Sequence, residues 1–389
     1  MSKGLKRFGK LFLVLVIILS TVRFINESNI HAAEAKTVRV STAKQLKKAM
    51  KNPDVGTIIL RTQAYTDITI KAEKAATDKF LIVDSINANV INKAVFAGIT
   101  IKSANSYTES VSGNKISVEG YLDDQTGFVV SGKKQVESLT MVYSMNYYPG
   151  YVLKKGAKIK ELVLIVIDNG APVELTLNTK NKTAKYKLTD EFGYYEDYKI
   201  TIDKNGRLSH AVCDSDCVEF AYDYTYKYDS DSNLICISGR NNDKGDFTDT
   251  FTYSGGKLVK RVLDDWDFMQ IDREYDSKGN LVYEQVFVEY HMDGSSSTDT
   301  NYYKYEYDAN NRLTYERMDN IDGNYFEEYS YTYDTKGFRI EKYSNDYGLE
   351  IYETFTYNKS GDMITVKKLV DGETFTTKHK YDKLGNPKD

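Results

Sequence analysis

The run Asp229-Ser230-Asp231-Ser232-Asn233 sets side-chain oxygens at alternate positions, the spacing with which a short loop ligates calcium. It lacks the central glycine and the distal glutamate of such a loop. The aligned run Asp276-Ser277-Lys278-Gly279-Asn280 puts an ammonium group in the middle. A turn accounts for every copy of this run and calcium for one, so the sequence predicts a turn. Polysaccharide cleavage needs gathered carboxylates. Asp84 and Asp168 stand apart, and Asp123-Asp124 reads as part of a turn at Tyr121–Thr126. The histidines, His31, His210, His291 and His379, are scattered along the chain. No nucleophile-elbow or phosphate-loop motif occurs. These residues predict no catalytic centre, no metal site and no cofactor.

Cys213 and Cys217 flank Asp214-Ser215-Asp216, which reads as a three-residue hairpin loop. Such a loop sets the thiols opposite each other, and a disulfide there closes a small ring and stabilises modestly. Cys236 is left to pack as a small apolar side chain or to pair between chains. The remaining chemistry is aromatic. Of 33 tyrosines, 25 lie after residue 190. Phe220, Tyr222, Tyr224, Tyr226 and Tyr228 alternate with polar residues, which is a strand with one aromatic face. Tyr303, Tyr305 and Tyr307, with Tyr329, Tyr331 and Tyr333, repeat that texture. These six are the candidate binding face, suited to stacking on sugar rings or on a partner protein.

The element that positions them is a repeat. An aromatic strand runs into Asp, a short polar or glycine turn follows, and a second strand begins. It reads Tyr275-Asp276-Ser277-Lys278-Gly279-Asn280-Leu281, and returns at Tyr307–Leu313, Tyr333–Arg339 and Tyr381–Pro387. Weaker copies start at Ile202, Tyr228, Tyr253 and Tyr357, so the anchors lie 22 to 32 residues apart. Each unit predicts a hairpin, and Asp293-Gly294, Asp322-Gly323 and Asp371-Gly372 predict the turns between units. End to end they make an antiparallel meander of about sixteen strands, with tyrosines of successive units in cross-strand ladders. The phrase resembles the YD repeat of the RHS family over about residues 195–389. That resemblance implies a non-catalytic curved sheet or stalk on a secreted bacterial protein. With about eight units, this chain is expected to form an open twisted sheet or short spiral rather than a closed shell. Trp266 is not repeated, which disfavours tryptophan-based wall-binding repeats.

Residues 41–52 predict one amphipathic helix, capped by Ser41 or Thr42, with Leu46, Ala49 and Met50 on one face and a stop at Asn52-Pro53. Apolar runs then start at 57, 80, 98, 115, 138 and 161, with secondary runs at Asp67–Ile70 and Ala88–Ile91. Asn87, Asn89 and Asn92 mark a corner. Short strands at this spacing predict a β-solenoid. The region resembles the N-terminal part of right-handed parallel β-helix proteins of the pectate-lyase-like type, over about residues 40–180. An irregular β-sandwich is the alternative.

Lys3, Lys6, Arg7 and Lys10, then the apolar stretch Leu11–Val22 and Ala33-Glu34-Ala35, read as an export signal. The twelve-residue stretch is short for a spanning helix, which takes roughly 20 residues. Membrane contact is expected only through this segment, if it is kept. Residues 36–190 hold 23 basic and 14 acidic side chains, whereas 191–389 hold 24 and 40. The contrast predicts two separately built halves, a β-helix-like domain over 36–190 and a repeat domain over 191–389, after a leader at 1–35. The acidic half argues against a nucleic-acid partner. The expected class is an all-β, secreted or cell-surface protein that binds a polysaccharide or a surface protein without covalent chemistry. A polysaccharide lyase or hydrolase with accessory repeats, and a structural stalk, are the alternatives. Oligomeric state has no signature in the sequence.

Overall fold

Leu46, Ala49 and Met50 are buried on the inner face of a single helix, α1 (Ala43–Lys51), within the expected span. Thr42 caps it, its hydroxyl accepting the Gln45 amide at 3.2 Å. The computed structural model describes residues 35–388, apart from 122–126, 143–149, 169–170, 190–194, 217–220, 242–244, 266–268, 293–294, 322–325 and 347. The leader, Asp123-Asp124, Cys217, Trp266, Asp293-Gly294 and Asp322-Gly323 therefore lie outside the described residues.

A strand that the sequence reading did not single out, Lys36–Val40, precedes α1 and pairs in parallel with Val55–Leu60. From there the apolar runs stack as one parallel ladder, in which Ile58, Leu81, Ile99, Ile116, Leu139 and Leu162 lie in register. All six are essentially buried. A second ladder sets Ile68, Val90, Tyr107 and Phe128 in register, and the rings of the last two stack at 5.8 Å. The first half of the chain is thus a β-solenoid of about five turns. No single coil can bury its apolar face alone, so the stacked coils share one core. The solenoid ends where Lys158–Asp168 pairs antiparallel with Ala171–Asn178.

One buried carboxyl interrupts that core. Glu109 accepts hydrogen bonds from the side chains of Asn92 and Asn114, the hydroxyl of Tyr107 and the amide of Val111. Burial, working against those bonds, raises its carboxyl from 4.5 to about 7. The folded chain therefore keeps a proton that the unfolded chain releases. This contribution to stability is full below about pH 4.5 and is lost as the pH rises to about 7, a fall of up to about 3 kcal/mol. Glu109→Gln should flatten that decline, read as urea midpoints at acid and alkaline pH. An unchanged slope would rule out Glu109 as its source.

Thr183–Thr189 starts a second sheet of sixteen antiparallel strands, which ends at Glu373–Lys378. The changeover falls between Asn178 and Thr183, ahead of the expected division at 190. The last repeat forms a separate small hairpin, Lys380–Tyr381 with Pro387–Lys388. Each of the other seven anchors sits at a register shift, as at Tyr333 opposite Arg339. Such bulges strengthen the right-handed twist of a sheet. Among the described residues the sheet stays open, with one neighbour for each end strand. The core is continuous from Val40 in the solenoid to Leu263 in the sheet.

The turn explains the repeat. In the first unit, Asp203 Oδ1 accepts the amides of Asn205 (2.8 Å) and Arg207 (3.0 Å). The same frame recurs on Asp229, Asp276, Asp308, Asp334 and Asp382, and on Asn358 in the seventh unit. The fourth turn residue takes positive φ, filled by Gly279 and Gly337 but also by Ser232 and Asn311. Partial burial pulls the carboxyls of Asp229, Asp276 and Asp308 upward, but the turn's donors outweigh it and hold them below the usual range. Of the side chains that suggested calcium in the second unit, Asp229 accepts from turn amides and from Asn233, and Asp231 pairs with Lys155. In the second, sixth and seventh units the anchor tyrosine ties the unit to the one before. Tyr228, Tyr333 and Tyr357 donate to the carbonyls of Leu208, Leu313 and Arg339 at 2.7–2.9 Å. Arg207 and Arg312 lie over the rings of Tyr228 and Tyr333.

Candidate functional site

In an antiparallel meander all the Asp turns fall on one rim of the sheet. That rim is seated on the solenoid, and it runs from the last coils to the first. In the first repeat, Ile159 donates its amide to the Asn205 carbonyl at 3.0 Å, and the Tyr151 hydroxyl donates to the Gly206 carbonyl at 2.9 Å. The second repeat places Asp231 2.8 Å from Lys155. In the sixth, the Tyr65 amide donates to the Gly337 carbonyl at 2.8 Å, and Tyr65 meets Tyr333 edge-on at 5.0 Å. In the seventh, Arg39 of the first strand pairs with Asp362 at 2.6 and 2.8 Å, with both side chains almost wholly buried.

Between these seats the two surfaces part and leave an open cleft of about 560 Å³. Its solenoid wall is an amide ladder that crosses successive coils. Asn105 donates to Asn89 Oδ1 at 2.8 Å, Asn89 donates to Asp67 Oδ1 at 2.9 Å, and Asn87 donates to the Gln63 carbonyl at 2.8 Å. The opposite wall is made of the turns of the fourth to sixth repeats, with Lys257 from the third hairpin. These turns are tied to one another, Asn280 donating to Asn311 Oδ1 at 2.6 Å and Arg312 to the Asp334 carbonyl at 3.2 Å. Lys278 and Lys336 occupy the same place in their respective turns and line the cleft with exposed side chains. Asp67 is the one carboxylic acid among the described lining residues. Such a site offers amide donors and acceptors on one side and ammonium groups on the other, around a volume typical of small-ligand pockets.

Sequence reasoning picked out Asn87 and Asn89 as corner residues, and Asn87 does fall where the register shifts from one ladder to the other. Asn92 instead faces inward and is fully buried beside Glu109. Reasoning from sequence missed Asp67, Asn105, Lys278 and Lys336. The available signal was Lys at the third turn position of two repeats, the feature that argued against calcium.

The tyrosine face lies elsewhere. Tyr303, Tyr305, Tyr307, Tyr329, Tyr331 and Tyr333 are all half-buried on one face of the sheet. The expected ladder of tyrosine on tyrosine does not form there, because a return strand separates successive aromatic strands. Glu316 lies in register between Tyr305 and Tyr329, and Met318 is opposite Tyr303. The Tyr331 hydroxyl donates to Glu316, and that of Tyr329 to Glu327 at 3.1 Å. Lys342 and Arg339 cover the rings of Tyr329 and Tyr331. Burial, followed by neighbouring carboxylates, raises the hydroxyls of Tyr303 and Tyr305. Of the six, Tyr333 packs edge-on against Tyr65, a residue of the cleft lining.

The three-residue loop expected after Cys213 is absent. Its strand continues to Ser215, and Cys213 lies opposite Tyr222. The Cys213 thiol is free and buried, and burial pushes it up to about 12. Cys236 is a half-exposed free thiol.

No known family profile matches the chain, and no curated protein matches it. Among solved structures it is similar to the Photorhabdus luminescens Tc holotoxin pore carrying the mutation TccC3-D651A, with 13% identity over 51% of this chain and a TM-score of 0.27. It is also similar to TcdB2-TccC3 without its hypervariable C-terminal region, with 10% identity over 56% of this chain and a TM-score of 0.26. The matched parts cover 13% and 15% of those chains. A porin-like protein from Bacteroides uniformis matches half of this chain at 9% identity, covering 91% of that protein, with a TM-score of 0.23. At these scores the likenesses say nothing about what the chain does.

Proposed function

We propose that the chain is an exported, non-catalytic protein that binds a polysaccharide in the cleft between its solenoid and its repeat turns. The observation that carries this reading is the amide ladder of Asn87, Asn89 and Asn105 facing a rim of turn residues. Carboxamides serve sugar hydroxyls in both senses, since each both donates and accepts. The ladder continues across coils, which suits an extended polymer better than a compact metabolite. Glycoside hydrolysis uses two carboxyl groups flanking the scissile bond. The cleft lining holds Asp67, which already accepts from Asn89. This favours binding over cleavage. The seating of the rim from Ile159 to Arg39 folds the repeats back along the solenoid, which speaks against an extended stalk. Export rests on the basic and apolar leader, and the likeness of the repeats to YD repeats fits a secreted setting.

The test is retention of the full chain on insoluble cell-wall and plant polysaccharides, with released sugar measured in the same tubes. Retention without product, weakened by Asn89→Ala with Asn105→Ala, is the expected result. Release of soluble sugar would make the protein an enzyme, and failure to bind any polymer would end the reading.

A further inference from the structure

We infer that the polymer taken by the cleft is anionic, its carboxylate or sulfate groups meeting Lys278 and Lys336. This rests on the binding reading above and adds the charge class of the ligand. Each lysine is the third residue of an Asp turn. The backbone at these positions is held by the turn itself, the amides of Lys278 and Lys336 donating to Asp276 and Asp334 at 2.7 and 2.8 Å. The side chains are exposed, and among the described residues neither ammonium group has an ion-pair partner. The other cations of the cleft are engaged. Arg312 pairs with Asp308 at 2.6 Å, and Lys257 donates to the Ser277 carbonyl.

The acids nearby are engaged as well. Asp276, Asp308 and Asp334 direct their oxygens at turn amides, and Asp67 accepts from Asn89. Two uncompensated ammonium groups therefore stand two repeats apart on one wall, with hydrogen-bonding amides across from them. A neutral glucan would use the amides and leave both ammonium groups unanswered. A carboxylated or sulfated chain answers both walls, and charge-assisted hydrogen bonds are roughly twice as strong as neutral ones. The setting adds selectivity. The repeat half carries 40 acidic against 24 basic side chains, so a polyanion is repelled by most of that sheet. Lys278 and Lys336 are cations of that acidic half that face the basic solenoid across the cleft.

The experiment is titration of the full chain with oligosaccharides of matched length in three arms: oligogalacturonate as carboxylate, dextran sulfate as sulfate, and neutral dextran. Each arm is run at low salt and at about 150 mM, where unpaired surface charges are screened beyond about 8 Å. The double variant Lys278→Met with Lys336→Met is compared with Lys180→Met with Lys182→Met, exposed lysines outside the cleft lining. The expected result is binding of one or both acidic arms, weakened about tenfold or more by the cleft variant and unchanged by the other. The arm that binds names the acid. If neutral dextran binds as tightly as the acidic arms and the cleft variant binds like the parent, the charge inference fails while the binding reading stands. If both lysine pairs weaken binding equally, the attraction is diffuse and the site is wrong. If no arm binds while the insoluble polysaccharides still retain the chain, the charge inference fails alone; if they do not retain it either, the binding reading fails with it.

Discussion

Arg39→Ala should lower the unfolding free energy of the chain by about 3–5 kcal/mol and loosen the seventh repeat on the solenoid, where the Met363 amide still donates to Gln63. Arg39 and Asp362 are 323 residues apart, hydrogen-bonded at 2.8 Å, with side chains only 6% and 4% exposed. Removing the guanidinium leaves a buried carboxylate whose other side-chain donor is Asn358. The loss is then mainly the cost of an orphaned charge, and not the net worth of the pair. Arg39→Met with Asp362→Leu should therefore recover much of it. Asp362 also sets an acid limit. Burial raises its carboxyl, but Arg39 and Asn358 outweigh burial and hold it below the usual range. Its contribution is present above about pH 4 and is lost as the pH falls through the lowered value. Urea midpoints, with hydrogen exchange at 36–40 and 358–363, check both points. Equal losses in the single and double variants would show that the pair is not held as a buried charge pair.

Gly337→Ala should cost well over 2 kcal/mol, whereas Gly279→Ala should cost about 1–2 kcal/mol. Both glycines hold the fourth position of an Asp turn at similar positive φ, 89° and 94°. They differ in what they face. A methyl group on Gly337 would lie 2.3 Å from the Tyr65 carbonyl oxygen, while one on Gly279 meets nothing within 4 Å. The left-handed backbone is common to both, so the difference between them measures the seat of the sixth repeat on the solenoid. The Tyr65 amide bond to Gly337 and the Tyr65–Tyr333 ring contact would be displaced together. Thermal midpoints of the two variants decide this, and equal shifts would mean that the rim does not bear on Tyr65.

Local order was legible because it is periodic. The starts of the apolar runs mark the coils that place Ile58, Leu81, Ile99 and Ile116 in register. The Asp turns announced the sixteen-stranded meander, since Asp or Asn with a residue of positive φ three places on is a local device. The seam between the halves was not legible. Arg39, Gln63 and Tyr65 sit in ordinary solenoid sequence, and their partners lie in repeats about 270 to 320 residues later, where no period connects them. The neighbours of the tyrosine face were not legible for a different reason. Its alternation was read correctly, but period two says nothing of what the intervening return strand carries, and Glu316 and Met318 fill the places where ring was expected to meet ring. The lysines of the cleft were visible only as exceptions within a turn, and their meaning comes from the wall they face.

The most direct test is hydrogen exchange on the full chain with and without a bound polysaccharide. Binding in the cleft should give new protection at 87–89 and 105 on the solenoid together with 276–280 and 334–338 on the repeat rim. Protection at 303–307 and 329–333 with the cleft unchanged would place binding on the tyrosine face and contradict it.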